Sequence, residues 1–189
     1  MNDMEYLDVV DELGNPTGQI VERTIAHEKG IRHRTSHVWI IRKKEKLEIL
    51  LQLRSKEKDS FPSCFDISTA GHIPAGCSYV ESAIREAKEE LGIEIDEKKL
   101  IYCGKQNREF KGEFHGNVFH DVQISNVYCY YLDQDQFTVQ KEEIEKVVWM
   151  SFDDCVNGVK HNLFNNCIFM DELELIENTL KQISLENYL

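Results

Sequence analysis

The sequence predicts an α/β fold of the α/β/α sandwich type, in which a mixed β-sheet lies between helices. Two kinds of segment support this prediction. Residues 36–42 and 47–53 are strand-like, and the second segment alternates apolar and more polar side chains. Residues 79–91 and 169–183 instead carry apolar side chains at helical spacing. A length of 189 residues and a hydrophobic content of 41% suit one domain with a substantial core.

Turn and capping residues predict the elements around these segments. Ser78-x-x-Glu81 is a capping box, so a helix should begin at Tyr79, and Gly92 should end it. Gly30 should end a short helix in the same way. In chain order, the other predicted elements are a hairpin over 5–21, a helix over about 23–29, a loop over 54–63, a strand near 65–69, strands over about 99–110, 118–131 and 145–150, and a helix from about 151.

We expect a single domain over residues 1–189. Its core covers about 33–160, preceded by an N-terminal hairpin extension over 1–30 and followed by a C-terminal helical extension over 161–189. The second extension carries one heptad-like apolar stripe, made of Phe169, Leu173, Ile176, Leu180 and Ile183. This stripe should dock on the domain or on a second subunit, which leaves a homodimer open.

Charge and composition disfavour several classes of function. A formal net charge of −12 disfavours nucleic acid polymers as partners, because neutralising their phosphates needs clustered Lys and Arg, but it is compatible with a small anionic substrate. The six cysteines form no Cys-x2-Cys pair, and the start of the chain lacks the long apolar run of a secretion signal. No segment has the roughly 18 apolar residues that cross a bilayer. We therefore expect a cytoplasmic protein with free thiols and no membrane partner.

The most informative feature is an acidic face on the helix over 79–91. Glu86, Glu89 and Glu90 fall within an arc of roughly 100°, away from the apolar stripe of the same helix. These carboxylates repel one another, and two of them lie in the last turn, where the helix dipole favours cations. Such an unfavourable arrangement is expected where a divalent cation takes oxygen ligands. The alternative is an ordinary solvated acidic face.

A longer pattern favours the metal site. Residues 71–93 have the pattern Gly-x5-Cys-x7-Arg-Glu-Ala-x-Glu-Glu-x-Gly-Ile, which resembles the Nudix hydrolase signature. The resemblance implies four ligands for Mg²⁺ or Mn²⁺, namely the main-chain carbonyl of Gly71 and the carboxylates of Glu86, Glu89 and Glu90. It also implies that Arg85 orients Glu86 by ion pairing, although its position alone is equally compatible with an exposed partner of Glu81 or Glu89.

Cys77 is the one departure from the signature, because the family has a Glu there. A cysteine cannot supply a hard oxygen ligand, so the rate and the number of bound metals are open. Either the position has lost its function, or the helix dipole stabilises a reactive thiolate. In the family a further carboxylate often comes from a later loop, where this chain has Glu143, with Glu142 as the alternative. Glu86 or Glu143 would act as general base, unless 141–146 is only a solvated turn.

A second resemblance is to the isopentenyl-diphosphate isomerase branch of the Nudix superfamily. It rests on His33-Arg34-Thr35, Gln52-x-Arg54-Ser55, Ser60-Phe61-Pro62 and Gly71-His72. The catalytic cysteine of the isomerases would fall at Ala70, and the hydrolase signature is intact, so the resemblance implies hydrolysis rather than isomerisation. His33 and His72, and less closely His27, match isomerase metal ligands, while each is alternatively an ordinary histidine. Arg54 and His72 are the candidate substrate-binding residues.

These features predict an enzyme, a Nudix-type pyrophosphohydrolase with Mg²⁺ or Mn²⁺ as cofactor. It would cleave a diphosphate linkage in a nucleoside-diphosphate derivative or a similar small organic diphosphate, by attack of metal-activated water on phosphorus. One alternative is an isoprenoid-diphosphate isomerase or hydrolase. Another is a catalytically weakened nucleotide-sensing module, suggested by Cys77, although the sequence has no basic segment or helix-turn-helix to couple it to DNA.

Overall fold

The computed structural model describes residues 4–183. Its α-helices are α1 (Arg23–Lys29), α2 (Tyr79–Leu91), α3 (Phe152–Lys160) and α4 (Met170–Gln182). Its strands are β1 (Tyr6–Val10), β2 (Pro16–Glu22), β3 (His33–Lys43), β4 (Leu47–Arg54), β5 (Phe65–Asp66), β6 (Thr69–His72), β7 (Ile101–Phe114), β8 (Asn117–Tyr131) and β9 (Ile144–Ser151). Within this described part, no helix is long and apolar enough to cross a membrane.

A mixed seven-stranded sheet organises the fold. Its main path runs β5-β4-β3-β8-β7, while β6 pairs with β3 and β9 pairs with β4. β3 and β8 are parallel, from the pair His33–Gln123 to the pair Ile41–Tyr131. The other neighbouring strands are antiparallel. β1 and β2 form a separate antiparallel hairpin, in agreement with the sequence prediction.

Helices cover both faces of this sheet, which confirms the predicted α/β/α sandwich. Side chains along β3 alternate between the two faces. Val38 and Ile40 belong to a buried cluster with α2, whereas Trp39 and Ile41 belong to a second cluster with α3 and α4. β3 is therefore buried on both faces, which explains why apolar residues occupy the consecutive positions 38–41 without alternation.

Helix α2 has the ends that the sequence predicted. The Ser78 hydroxyl accepts a hydrogen bond from the Glu81 amide, and the Glu81 carboxylate accepts one from the Ser78 amide, which completes the capping box. At the other end Gly92 takes the left-handed conformation, with φ of +67°, and its amide closes the last turn. Local sequence therefore determines where the acidic helix begins and ends.

Two predicted elements differ from the structure. The strand expected near 65–69 is two short strands, because β5 pairs with β4 whereas β6 pairs with β3. The apolar stripe expected on the closing helix extends beyond it, since Phe169 precedes α4 and Ile183 follows it. Leu173, Ile176 and Leu180 are buried against the chain's own sheet. Docking on a second subunit is therefore not needed to cover this helix.

Candidate active site

One face of α2 lies against β6 at Gly71. A β-carbon added to Gly71 would lie 2.2 Å from Cδ of Glu86, so the Glu86 side chain fills the space that another residue would need at this position. Arg85 donates a hydrogen bond from Nη2 to Oε1 of Glu86 at 2.5 Å. The same nitrogen is 3.4 Å from the main-chain oxygen of His72. Arg85 therefore links the Glu86 carboxylate to the end of β6.

Glu90 is the most deeply buried carboxylate on this face. It is 7% exposed, and Thr69 donates a hydrogen bond from Oγ1 to Oε2 of Glu90 at 2.6 Å. Burial raises the pKa of Glu90 to about 8, with the Thr69 hydrogen bond acting in the opposite direction. Burial likewise raises the pKa of Glu86, against the opposing effect of Arg85. The alternative of an ordinary solvated face therefore does not hold for these two residues.

Glu89 differs from its neighbours because its side chain is 56% exposed. Its Oε2 lies 3.9 Å from Nε of Arg85, one turn earlier on the helix. The three carboxylates thus differ in solvent exposure, from the buried Glu90 against β6 to the exposed Glu89 at the surface. Their oxygen atoms are the donor type that Mg²⁺ and Mn²⁺ prefer.

The loop before β9 brings a fourth carboxylate to the end of α2. The Gln140 amide donates a hydrogen bond to the main-chain oxygen of Glu90 at 3.1 Å. Glu143 forms an ion pair with Lys58, and its charge acts to raise the pKa of Glu90. The alternative residue, Glu142, is exposed. Of the two candidates, Glu143 is the one with a contact that holds it near the site.

Arg54 lies at the end of β4, and its guanidinium is already engaged. Nη1 donates to Asp66 at 3.0 Å, while Nη2 and Nε donate to the main-chain oxygens of Ser60 and Phe61 at 2.8 and 3.1 Å. These contacts hold the loop after β4 in place. Binding of a substrate phosphate by Arg54 stays a prediction, and it would have to exchange some of these bonds.

Three histidines converge on the opposite face of β6. Nε2 of His27 is 3.2 Å from Nε2 of His72, and one ring nitrogen from each of His27, His33 and His72 lies within 4.8 Å of the others. Burial lowers the pKa of His27 to about 4 and that of His72 well below its usual value, so both rings are neutral. Neutral imidazole is the form that binds metals.

Asp121 joins this cluster from β8. Its Oδ1 is 3.3 Å from Nε2 of His33 and 3.9 Å from Nε2 of His27. Both Asp121 Oδ1 and His33 Nε2 are buried without a hydrogen-bond partner among the described residues. The sequence prediction did not include Asp121, because only the pairing of β8 brings it to the histidines. Alternation along β8 is the one local signal that could have indicated its face.

The alternation of side chains along β6 explains how one short strand contacts both the carboxylates of α2 and the histidine cluster. Thr69 and Gly71 face α2, where they contact Glu90 and Glu86. Ala70 and His72 point to the other face, where Ala70 packs with the α3 and α4 cluster. The acidic helix and the histidine cluster therefore lie on opposite sides of β6.

Cys77 lies immediately before the Ser78 cap and is half-buried. Its main-chain oxygen accepts a hydrogen bond from Nη2 of Arg34 at 3.0 Å, and Arg34 pairs with Asp8 at 2.8 Å. These contacts fix the backbone at the start of α2. The cysteine keeps that backbone position without supplying the carboxylate of the signature.

The mixed sheet between helices, with carboxylates on a helix that packs against a glycine-containing strand, agrees with the fold and the site that the sequence signature implies. The family described as NUDIX domain matches residues 31–167. Nudix hydrolase 3 of Arabidopsis thaliana is 36% identical over 156 residues, which are 81% of this chain but 20% of that protein. A Nudix hydrolase of Clostridium acetobutylicum is 35% identical over 153 residues, 79% of this chain and 71% of that protein. The chain therefore belongs to the Nudix hydrolase family of enzymes.

Solved structures agree on the fold. DR0079 from Deinococcus radiodurans aligns with a TM-score of 0.66 at 20% identity, covering 93% of this chain and 99% of that chain. The NUDIX domain of Shewanella oneidensis NrtR, complexed with ADP ribose, aligns with a TM-score of 0.57 at 14% identity, covering 80% of this chain and 88% of that chain. An isopentenyl-diphosphate Delta-isomerase of Corynebacterium diphtheriae is 22% identical over 84% of this chain and 85% of that protein. The isomerase branch is thus a distant relative.

Proposed function

We propose that this protein hydrolyses a diphosphate linkage in a nucleoside-diphosphate derivative or a similar small organic diphosphate, with Mg²⁺ as cofactor and Mn²⁺ as substitute. The observation that carries the proposal is that Glu90, 7% exposed, and the Glu86 side chain, 16% exposed, lie against β6 beside Gly71. The charge of Glu86 acts to raise the pKa of Glu90, so the two carboxylates repel, and a cation between them relieves that repulsion. We further propose that the chain acts as one domain in the cytoplasm.

The donor set fits a hard divalent cation. Glu86, Glu89 and Glu90 offer carboxylate oxygens, and Gly71 offers a main-chain carbonyl with no side chain to block the approach of Glu86. When bound there, Mg²⁺ would neutralise charge on the phosphates and lower the pKa of water. Soft ligands are absent from the described part of this face, which disfavours a metal that prefers thiolates.

The remaining roles belong to residues of the chain itself. Arg85 holds the Glu86 carboxylate in one orientation through the 2.5 Å hydrogen bond. Glu86 or Glu143 takes the proton of the attacking water as general base. Lys58, which pairs with Glu143, also carries a positive charge at the side of the site where a phosphate would enter. Release of Glu143 from Lys58 on substrate binding would free the carboxylate for this task.

The histidine cluster supports a second metal site. Three imidazoles and the Asp121 carboxylate form a donor set that suits Zn²⁺ or another first-row transition metal. The unpartnered atoms of His33 and Asp121 are the specific observation that favours it. Co²⁺ added to the metal-free protein should give a visible absorption spectrum that His33→Ala removes. An unchanged spectrum in that variant would contradict the second site.

The substrate class rests on the family and on the fold, since ADP ribose is a nucleoside-diphosphate derivative bound by a domain of the same fold. A panel of ADP-ribose, diadenosine tetraphosphate and isopentenyl diphosphate tests it, with hydrolysis products measured in the presence of Mg²⁺. Hydrolysis that is lost in Glu90→Gln but kept in Glu177→Gln, an exposed glutamate on α4, is the expected result.

The same panel separates the competing functions. Tight binding of a nucleotide without turnover would instead indicate the sensing module. Formation of dimethylallyl diphosphate from isopentenyl diphosphate would indicate the isomerase. Failure of every diphosphate to be cleaved would overturn the proposed hydrolysis.

A further inference from the structure

A cavity of about 160 Å³ lies on the face of the sheet opposite α2. Its floor is formed by β3, β6, β7 and β8, and its walls are formed by the loop after β4 and the segment 167–172. Gly71 and His72 line it at β6, so it adjoins the acidic helix around the end of that strand. A cavity of roughly 150 Å³ holds one benzene molecule, so this space accepts a single ring rather than a whole nucleotide.

Aromatic side chains form the apolar part of the cavity wall. The rings of Phe61 and Phe110 have centroids 4.9 Å apart, and those of Phe110 and Phe119 are 6.2 Å apart. Phe119 also packs against His27 at 4.7 Å. Rings at these spacings offer edges and faces to a planar group.

The deep part of the cavity is polar, and His37 is its first donor. Glu172 of α4 accepts from Nδ1 of His37 at 3.0 Å and from the indole nitrogen of Trp39 at 2.8 Å. A carboxylate only accepts, so Nδ1 carries hydrogen, and Nε2 is a donor in the imidazolium form, which the ion pair with the buried Glu172 favours. Nε2 has one long hydrogen-bond contact, with Oγ1 of Thr35 at 3.4 Å, and that hydroxyl has a shorter bond to Oγ of Ser125 at 2.6 Å.

Arg108 is the second donor at this end. Its guanidinium lies over the ring of Phe169, with Cζ 3.7 Å from the ring centroid, and Nη2 donates to Asp171 at 2.8 Å. Its Nε is buried without a partner among the described residues. The side chains of Arg108 and His37 are each 11% exposed. The Arg108 side chain lines the cavity, and a buried cation gains from a ligand that offers it a hydrogen-bond acceptor.

We propose that this cavity holds the organic group of the diphosphate substrate and selects a ring with a hydrogen-bond acceptor, such as a carbonyl oxygen, over a hydrocarbon of equal size. The inference rests on the proposed function, because it assigns the part of the substrate that is not hydrolysed. His37 and Arg108 donate to the acceptor, and the phenylalanines contact the ring. Glu172 is a positioning residue that holds the His37 ring through Nδ1.

The physical basis of the selection is whether the donors of His37 and Arg108 remain hydrogen-bonded once a ligand has displaced water. A hydrocarbon would exclude water from the cavity-lining atoms of His37 and Arg108 without replacing its hydrogen bonds, whereas a carbonyl oxygen replaces that water. Sites built to hydrogen-bond a polar group reject analogues that lack it far more strongly than apolar pockets reject a missing methylene. Burial lowers the pKa of His37, but the attraction of Glu172 outweighs it and raises the pKa, which favours the imidazolium donor.

A pair of synthetic probes tests the selection directly. They are methylbenzyl diphosphate and the diphosphate of a hydroxymethyl-pyridone, which have the same number of non-hydrogen atoms and differ in that a carbonyl oxygen and a ring nitrogen replace a methyl group and a ring carbon. Binding is measured by titration calorimetry with Mg²⁺, separately from turnover, on the full-length protein. We expect the pyridone probe to bind at least about tenfold more tightly, the effect of one charge-assisted hydrogen bond.

Two variants and one control assign this preference to the named residues. His37→Asn retains a donor for Glu172 but removes Nε2, and Arg108→Met removes the guanidinium while its partner Asp171 stays solvated. Each should reduce the preference about tenfold, and Arg108→Lys should restore part of it. Lys111→Met removes an exposed cation from the same strand and should leave the preference unchanged.

The outcomes separate this inference from the proposed hydrolysis. Equal binding of the two probes, or a preference that both variants retain, would overturn the inference even if diphosphates are hydrolysed. A preference lost in the variants would support it. If no diphosphate in the panel is cleaved, the proposed hydrolysis fails, and the binding preference still decides what the cavity selects.

Discussion

Replacing Gly71 with Ala should displace the Glu86 carboxylate and reduce activity without unfolding the protein. The new β-carbon would lie 2.2 Å from Cδ and 2.5 Å from Oε1 of Glu86. Carbon atoms in contact are usually at least about 3.5 Å apart, so Cδ has to move by about 1.3 Å. Gly71 does not have a positive φ, so its backbone accepts Ala without strain. The atoms in the way belong to a flexible side chain, and changing its rotamer costs only about 1 kcal/mol.

Activity should respond much more strongly than stability. A displacement of about 1 Å in a positioned group costs about 100-fold in rate. We therefore expect Gly71→Ala to lower kcat/KM about 100-fold, and to raise the Mg²⁺ concentration needed for half-maximal rate. The substitution keeps the main-chain carbonyl of Gly71, so the loss reports on Glu86. Initial rates across a Mg²⁺ titration and urea unfolding without Mg²⁺ measure the two effects.

A double-mutant cycle supplies the control for Gly71→Ala. Glu86→Ala removes the side chain that the new β-carbon would strike, so adding Gly71→Ala to it should reduce activity no further and cost no extra stability. Wild-type rate and wild-type Mg²⁺ dependence in Gly71→Ala would refute the argument that Glu86 must lie over this glycine. Additive losses in the double variant would show that the glycine acts through something else.

Four further outcomes are expected. Glu89→Gln should lower turnover strongly with an unchanged melting temperature, because its side chain is 56% exposed; near wild-type activity would contradict its role as a ligand. Because Ala70 replaces the isomerase cysteine, no dimethylallyl diphosphate should form from isopentenyl diphosphate in an NMR assay. Cys77→Glu should raise activity or Mg²⁺ affinity about 10–100-fold, and a Mg²⁺ titration showing no gain would mean that the site does not use this position. The buried pair of His37 and Glu172 should make the free energy of unfolding depend on pH. The pKa of His37 is raised above 6.5, so its contribution to stability is lost as pH rises through the raised value. The pKa of Glu172 is lowered below 4.5, so its contribution is lost as pH falls through the lowered value. Urea unfolding should therefore find that Glu172→Gln destabilises most between about pH 4.5 and 6.5, and a difference that does not change with pH would contradict this.

Local sequence determined the acidic helix, and it could be predicted for that reason. The Ser78 cap and the Gly92 stop involve residues within a few positions of each other, and the signature has fixed spacing. The burial of Glu90 was not predictable in this way. A helical projection places Glu90 away from the apolar stripe of α2, but it carries no information that Thr69 of β6 will cover it. The covering strand comes from pairing with β3, which is a long-range contact.

The polar end of the cavity was missed for the same physical reason. His37 and Glu172 are 135 residues apart, and they meet only because β3 and α4 pack on the same face of the sheet. Arg108 carries a charge on a strand with many exposed charges, so nothing local distinguishes it. The segment 167–172 also begins where the NUDIX domain match ends. Glu172 on α4 therefore belongs to no sequence signature, although it holds the side chain of His37 on β3.

The two faces of β6 follow from the twofold period of a strand, and this separation constrains how a substrate must lie. Gly71 and Thr69 contact the acidic helix, whereas Ala70 and His72 face the cavity side. A diphosphate bound by α2 and an organic group bound in the cavity must therefore be joined around the end of β6. That end is where Arg85 approaches the main-chain oxygen of His72. A one-residue shift of β6 would exchange the two faces, so its register with β3 determines both sites together.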